Sequence, residues 1–142
     1  MVTRDDIVAE ALSWEGVPWR HQGRTRKGID CAGLAVLVGS SLGLTTANPT
    51  AYPRRPDGSF LRHFQDALEQ IPVRDILPGD VVIFSGTDHS HVCHCGIVAV
   101  KYNRQSVIHA HATRRKVIHE RMWEAESVVG RPVHAFRYPG VV

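Results

Sequence analysis

The apolar spacing of this chain changes character once, at Pro78-Gly79-Asp80, and that change limits the folds open to it. Before it, apolar residues recur three and four apart, the spacing of helices. After it come short β-branched and aromatic runs, the spacing of strands. Helices first and strands afterwards predict an α+β domain with an antiparallel meander, not a doubly wound sheet in which the two alternate. A chain of 142 residues with 43% hydrophobic content can bury one core without staples, so a single domain over residues 1–142 is expected. No internal repeat or low-complexity tract interrupts it.

Thr3 is placed to cap a first helix, with Asp5 and Asp6 in its first turn and Ile7, Ala11 and Trp14 on its inner face. Gly16 and Pro18 close it, and residues 16–29 read as a loop. A second helix starts at Asp30-Cys31, buries Leu34, Leu37, Val38 and Leu42, and ends at Gly43. It is small and apolar nearly all round, as a central helix would be. After a turn-rich stretch, a third helix is expected over residues 59–70, with Phe60, Leu61, Phe64 and Leu68 inward. Strands are expected over residues 81–84, 92–100, 106–112, 116–119 and 133–138, with a turn at Tyr102-Asn103-Arg104. The fold so predicted packs N-terminal helices on an antiparallel sheet of about five strands.

The net charge of +3 demands no nucleic-acid partner. Arg20, Arg24, Arg26 and Lys27 do cluster just before Cys31, either as a solvated loop or as a rim for anionic groups. The segment Met1-Val2-Thr3-Arg4-Asp5-Asp6 has no basic head followed by an apolar run, so no secretory signal is expected. Nor does any stretch reach the roughly 18 apolar residues of a membrane span. Synthesis as a soluble cytoplasmic chain is the expectation, and work outside the membrane would need another route out. Of the three cysteines, Cys93 and Cys95 are too close along one strand to make a good disulfide pair. A reduced compartment without structural disulfides is expected.

Cys31 is the first candidate for chemistry. A free thiol has a pKa of about 8.5, and the reactive species is the thiolate. At the start of a helix the sulfur meets the positive end of the macrodipole and backbone N–H groups that can hold an oxyanion. Asp30 is a good cap and Gly33 permits close approach. A cysteine in an apolar helix is otherwise an ordinary small core residue. The nucleophile needs a base, usually histidine. Among nine histidines, His94 is the most specific, because Gly96 shares its strand face and lets another element, such as a helix start, come close. His109, one strand later, can lie beside His94 and orient its ring. His111 shares that face by parity and is its rival.

Residues 89–95, His89-Ser90-His91-Val92-Cys93-His94-Cys95, also look like a metal site. On a strand, side chains of one face sit about 6.5–7 Å apart, which suits two ligands but not four around one tetrahedral zinc. A zinc-binding module there is the rival to His94 as a base.

Several segments together resemble the NlpC-type cell-wall peptidases, a bacterial papain-like family. Gly16-Val17-Pro18-Trp19-Arg20-His21-Gln22 with Gly28-Ile29-Asp30-Cys31-Ala32-Gly33-Leu34 looks like the family's nucleophile segment. Leu77-Pro78-Gly79-Asp80-Val81-Val82-Ile83-Phe84 looks like its first core strand. His94-Cys95-Gly96-Ile97-Val98 is similar to its base segment, and Val107-Ile108-His109-Ala110 to the segment of its third residue. The Arg20-His21-Gln22 and His94-Cys95-Gly96-Ile97 forms, Met122-Trp123 and Ala135-Phe136-Arg137-Tyr138-Pro139 are most similar to the branch of phage tails and phage-derived gene-transfer particles. The resemblance implies a papain-like NlpC fold, no cofactor, and hydrolysis of a peptidoglycan stem peptide, usually between γ-linked D-glutamate and a diamino acid. It implies Cys31 as nucleophile, His94 as base and His109 as orienting residue. Trp19, Arg20, His21 and Asp30 would then bind substrate, and phage-tail or tail-like particle proteins would be partners. Trp19 stands where the family commonly has Tyr; it keeps an aromatic wall and an N–H donor but no acceptor. Two further readings keep the fold: a tail assembly protein with an idle site, and acyl transfer or amide hydrolysis on another substrate.

Overall fold

The computed structural model describes residues 1–49, 58–86 and 94–142. The first helix, α1 (Arg4–Leu12), starts where expected. Thr3 Oγ1 accepts from the Asp6 N–H at 3.1 Å, and the Asp6 carboxylate accepts from the Thr3 N–H at 2.9 Å, so each satisfies an orphan donor of the other. Trp14 is buried in the turn beyond it. The predicted loop holds a short hairpin of β1 (Arg24–Thr25) and β2 (Gly28–Ile29). Helix α2 (Cys31–Ser41) buries Ala32, Leu34, Ala35 and Val38; Leu37 and Leu42 are half-buried.

Helix α3 (Ser59–Ala67) buries Phe60 and Phe64 but stops before residue 70. Leu68 is already extended, at φ −124° and ψ 164°, and β3 (Glu69–Ile71) pairs with the last strand through Gln70 and Phe136. Pro72 disfavours a helical Ile71, and sheet pairing decides the rest. A single 3₁₀ turn over Val73–Asp75 follows.

The remaining strands are β4 (Val81–Phe84), β5 (His94–Lys101), β6 (Arg104–His111), β7 (Lys116–Arg121) and β8 (Pro132–Arg137). Their order is β3-β8-β4-β5-β6-β7, with antiparallel neighbours throughout. The meander expected from the sequence is β4 to β7, and among the described residues this sheet has six strands, one more than predicted, the addition being β3. Tyr102 and Asn103 both have left-handed φ values, 53° and 60°, inside the two-residue link between paired Lys101 and Arg104. That geometry matches the right-handed twist of the strands it joins.

The sheet separates two cores. On one face Ile83, Cys95, Ile97, Ile108 and Phe136 pack under α1, α2 and α3. On the other, Val82, Phe84, Val98, Val107 and Ala135 pack under α4 (Met122–Val129), a helix the sequence reading did not anticipate. Two ties cross the molecule. The Tyr138 hydroxyl donates to the Ala35 carbonyl at 2.6 Å, fixing the chain after β8 to α2. Asp80, fully buried, accepts from Arg4 at 3.0 Å, Arg137 at 2.9 and 3.0 Å, and the Leu77 N–H at 2.9 Å.

Candidate active site

Cys31 is the first residue of α2, and Asp30 caps it in extended conformation. Asp30 is only 3% exposed. Its carboxylate accepts from the Gly33 N–H at 2.8 Å, the Gln22 N–H at 2.7 Å and Arg24 Nη1 at 3.1 Å. Gln22 holds a left-handed φ of 57° while its N–H meets that carboxylate. Asp30 thus ties the preceding loop to the helix start and sets where Cys31 sits. Its carboxylate is thus enclosed by donors of the protein itself.

Cys31 meets two side chains from the start of β5. It hydrogen-bonds His94, and the Cys95 sulfur lies against both its sulfur and its carbonyl oxygen, the latter at 3.2 Å. The hydrogen bond from Cys95 is the largest influence holding the Cys31 thiol down, burial opposes it, and the bond to His94 with its charge lowers it further, to about 5. Asp30 works against this, pushing the thiol up. Burial and the adjacent Cys31 sulfur push Cys95 well above the usual thiol range, so Cys95 stays protonated and donates.

From His94 the contacts continue through the sheet. His94 Nε2 is 2.7 Å from His109 Nδ1, and His109 Nε2 is 2.7 Å from Glu120 Oε2. The His94 ring leans on Phe84, with centroids 5.5 Å apart. Burial pulls both imidazoles below their ordinary pKa, against the opposing pull of Cys31 on His94 and of Glu120 on His109. The space that lets His109 reach His94 is left by Gly96. A Cβ there would lie 2.4 Å from Val107 Cγ2 and 3.0 Å from His109 Cβ. The element that comes close is therefore the neighbouring strand β6, not a helix start.

His111 is placed differently. Its Nδ1 accepts from the Arg114 N–H at 3.1 Å, and its ring centroid is 6.4 Å from that of His94. Geometry thus brings His109, not His111, against His94. Trp19 is half-buried and pairs with Ile29, two residues before Cys31. Arg20 is exposed and His21 half-buried in the same loop. Of the basic cluster, Arg24 also bonds Asn48 at 2.9 Å and the Pro49 carbonyl at 2.6 Å. Arg26 lies 3.7 Å over the Trp14 ring and donates to the Ser13 carbonyl at 2.6 Å. These two arginines hold the loop itself, although Arg26, like Arg20 and Lys27, is exposed.

Among the described residues no three His, Cys, Asp or Glu side chains are grouped to hold a metal. Residues 89–93 of the zinc reading lie outside the described residues, while His94 and Cys95 point to opposite faces of β5. The participant that sequence reasoning missed is Glu120. The β6–β7 register, with His109 opposite Ile118 and Val107 opposite Glu120, puts it on the His109 face, a parity that hairpin counting from residues 111–116 could have found.

A helix-borne thiol meets a strand-borne imidazole here in an α+β fold, with the antiparallel sheet between helices. The chain belongs to the NlpC/P60 family, whose sequence pattern matches residues 16–131. It is 31% identical over 85 residues to the "Probable endopeptidase NlpC" of Escherichia coli (strain K12), covering 60% of this chain and 49% of that protein. It is 34% identical over 95 residues to the "Gamma-DL-glutamyl hydrolase" of Bacillus subtilis (strain 168), covering 66% of this chain and 20% of that one. The matches thus take in 49% of the length of the first relative and 20% of the second. The NlpC/p60 domain of the peptidoglycan hydrolase SagA has the same fold, with a TM-score of 0.66 at 21% identity over 95% of this chain and 98% of that one.

Proposed function

We propose that this chain is a cysteine peptidase that hydrolyses peptidoglycan stem peptides at the bond between γ-linked D-glutamate and a diamino acid. The contact of Cys31 with His94, at the start of α2 and backed by His109 at 2.7 Å, carries the chemical part of the proposal. The substrate part is supported by membership of the NlpC/P60 family and by similarity to a γ-DL-glutamyl hydrolase. In this reaction the Cys31 thiolate attacks the scissile carbonyl. The Cys31 N–H, in the first turn of α2, donates to the developing oxyanion. His94 delivers the proton to the leaving amine, and water then releases the acyl group from the sulfur. His109 orients His94. Trp19, Arg20 and His21 form the substrate wall on the loop that pairs with Ile29.

The same proposal places the chain in a phage tail or tail-like particle. The support is the Arg20-His21-Gln22, His94-Cys95-Gly96-Ile97 and Ala135-Phe136-Arg137-Tyr138-Pro139 segments. No helix among the described residues is long and apolar enough to cross a membrane. Digestion of purified sacculi followed by mass analysis of the muropeptides tests the bond. Free γ-D-glutamyl ends should appear with the parent and vanish with Cys31→Ala; products cut elsewhere, or undiminished lysis by the variant, refute the assignment. Co-purification with tail proteins from an induced lysate tests the particle.

A further inference from the structure

The carboxylate at the end of the relay decides where its protons lie. Glu120 is pushed up by burial, but the hydrogen bond from His109, with the pull of the neighbouring His109 and His111 rings, outweighs this and holds it below the usual carboxylate range. At neutral pH it is ionised and can only accept. The proton in the 2.7 Å contact must therefore sit on His109 Nε2. His109 is fully buried and kept neutral, so it has a single ring N–H. Its Nδ1 is then a lone pair, and the 2.7 Å contact with His94 has His94 Nε2–H as donor. The nitrogen of His94 left for the Cys31 sulfur is Nδ1, free of a proton in the neutral ring and protonated once the thiol has ionised.

We propose that Glu120 is a positioning residue of this site: through His109 it fixes His94 in the tautomer that can take the Cys31 proton, and it steadies the imidazolium that results. The proposal rests on the cysteine-peptidase reading above. Without the carboxylate, both His109 tautomers are open. In the Nδ1–H form His109 would donate to His94 Nε2, forcing the His94 proton onto the nitrogen that faces sulfur. The base would be lost, and the imidazolium would meet an N–H rather than a lone pair. Other titratable or charged groups facing the relay are Asp30 before α2, Cys95 on β5, His111 on β6, Arg114 in the β6–β7 turn and Glu124 on α4. None of them touches His109 Nε2, which Glu120 occupies.

The test is the pH profile of Cys31 alkylation by iodoacetamide, read by peptide mass mapping on the full chain, together with sacculus hydrolysis. Glu120→Leu should raise the midpoint by about one unit or more and lower kcat about 100-fold, the loss typical of a misset tautomer or an outer-shell ligand. Glu120→Gln keeps an acceptor for His109 Nε2–H but loses the charge. It should raise the midpoint less than Leu does and keep kcat within about tenfold of the parent. A folded Glu120→Leu whose alkylation profile coincides with that of the parent overturns the proposal. If the Leu variant does not fold, a coincident profile for Glu120→Gln overturns it instead. Alkylation needs no peptidoglycan, so a parent that leaves sacculi intact yet shows the Glu120-dependent profile refutes the substrate and upholds Glu120.

Discussion

At the scale of residues, a thiol held near pH 5 separates a working site from an idle one. The rate of alkylation follows the thiolate fraction, which falls as pH drops through the folded pKa. For Cys31 it should be half-maximal near pH 5 and flat through neutrality, because the thiol is depressed to about 5. A midpoint near that of an ordinary thiol would instead mark an idle cysteine in an assembly protein. The neighbours are expected to act with opposite signs. Asp30→Asn keeps an oxygen for the Gly33 N–H but removes the charge that pushes Cys31 up, so the midpoint should fall. Cys95→Val removes the strongest downward influence, so the midpoint should rise. Gly96→Ala should fail through sterics, since its Cβ would press on Val107 and His109 and part His109 from His94. Overpacking of this kind costs about 1–3 kcal/mol, and hydrolysis of sacculi should fall more than tenfold while the protein stays folded.

At the scale of elements, the helix start and the β5–β6 pair were legible because each carries a local signal. Asp30-Cys31 is a cap followed by apolar residues at helical spacing, and β5 and β6 alternate on either side of a tight turn. What was not legible depended on partners remote in sequence. The end of α3 reads as helix to residue 70, but Glu69, Gln70 and Ile71 pair with Arg137, Phe136 and Ala135, some 65 residues away. Helix α4 was hidden for another reason. Met122, Ala125 and Val129 have helical spacing, yet with eight residues it is short, and its first turn follows β7 directly. Its apolar side makes sense only once a second sheet face exists to cover. Glu120 escaped notice for the same cause: its role depends on the register of β7 against β6. The Cys–His pair was read from a local motif around each residue, whereas the acid beside His109 appears only when the strands are laid side by side.

At the scale of the molecule, the frame that positions the relay is tied together away from it. Asp80 is fully buried before β4 and gathers Arg4 of α1, Arg137 of β8 and the Leu77 N–H. Removing the carboxylate leaves two arginines and a backbone donor with fewer partners in a nearly closed space. The arginine side chains are 24% and 26% exposed, so water recovers part of the loss. Asp80→Ala should therefore cost about 2–3 kcal/mol, a fall in Tm of roughly 6–12 °C, readable by thermal unfolding. Asp80→Asn retains an acceptor for the Leu77 N–H and should lose less. Neither should move the Cys31 alkylation midpoint, because Asp80 is not among the groups that shift Cys31 or His94. If Asp80→Ala shifted that midpoint while still folded, frame and relay would have to be coupled through β4, whose Phe84 leans on the His94 ring. An unchanged midpoint in a less stable protein would show that chemistry resides at the α2–β5–β6–β7 junction and stability in the tie between α1, β4 and β8.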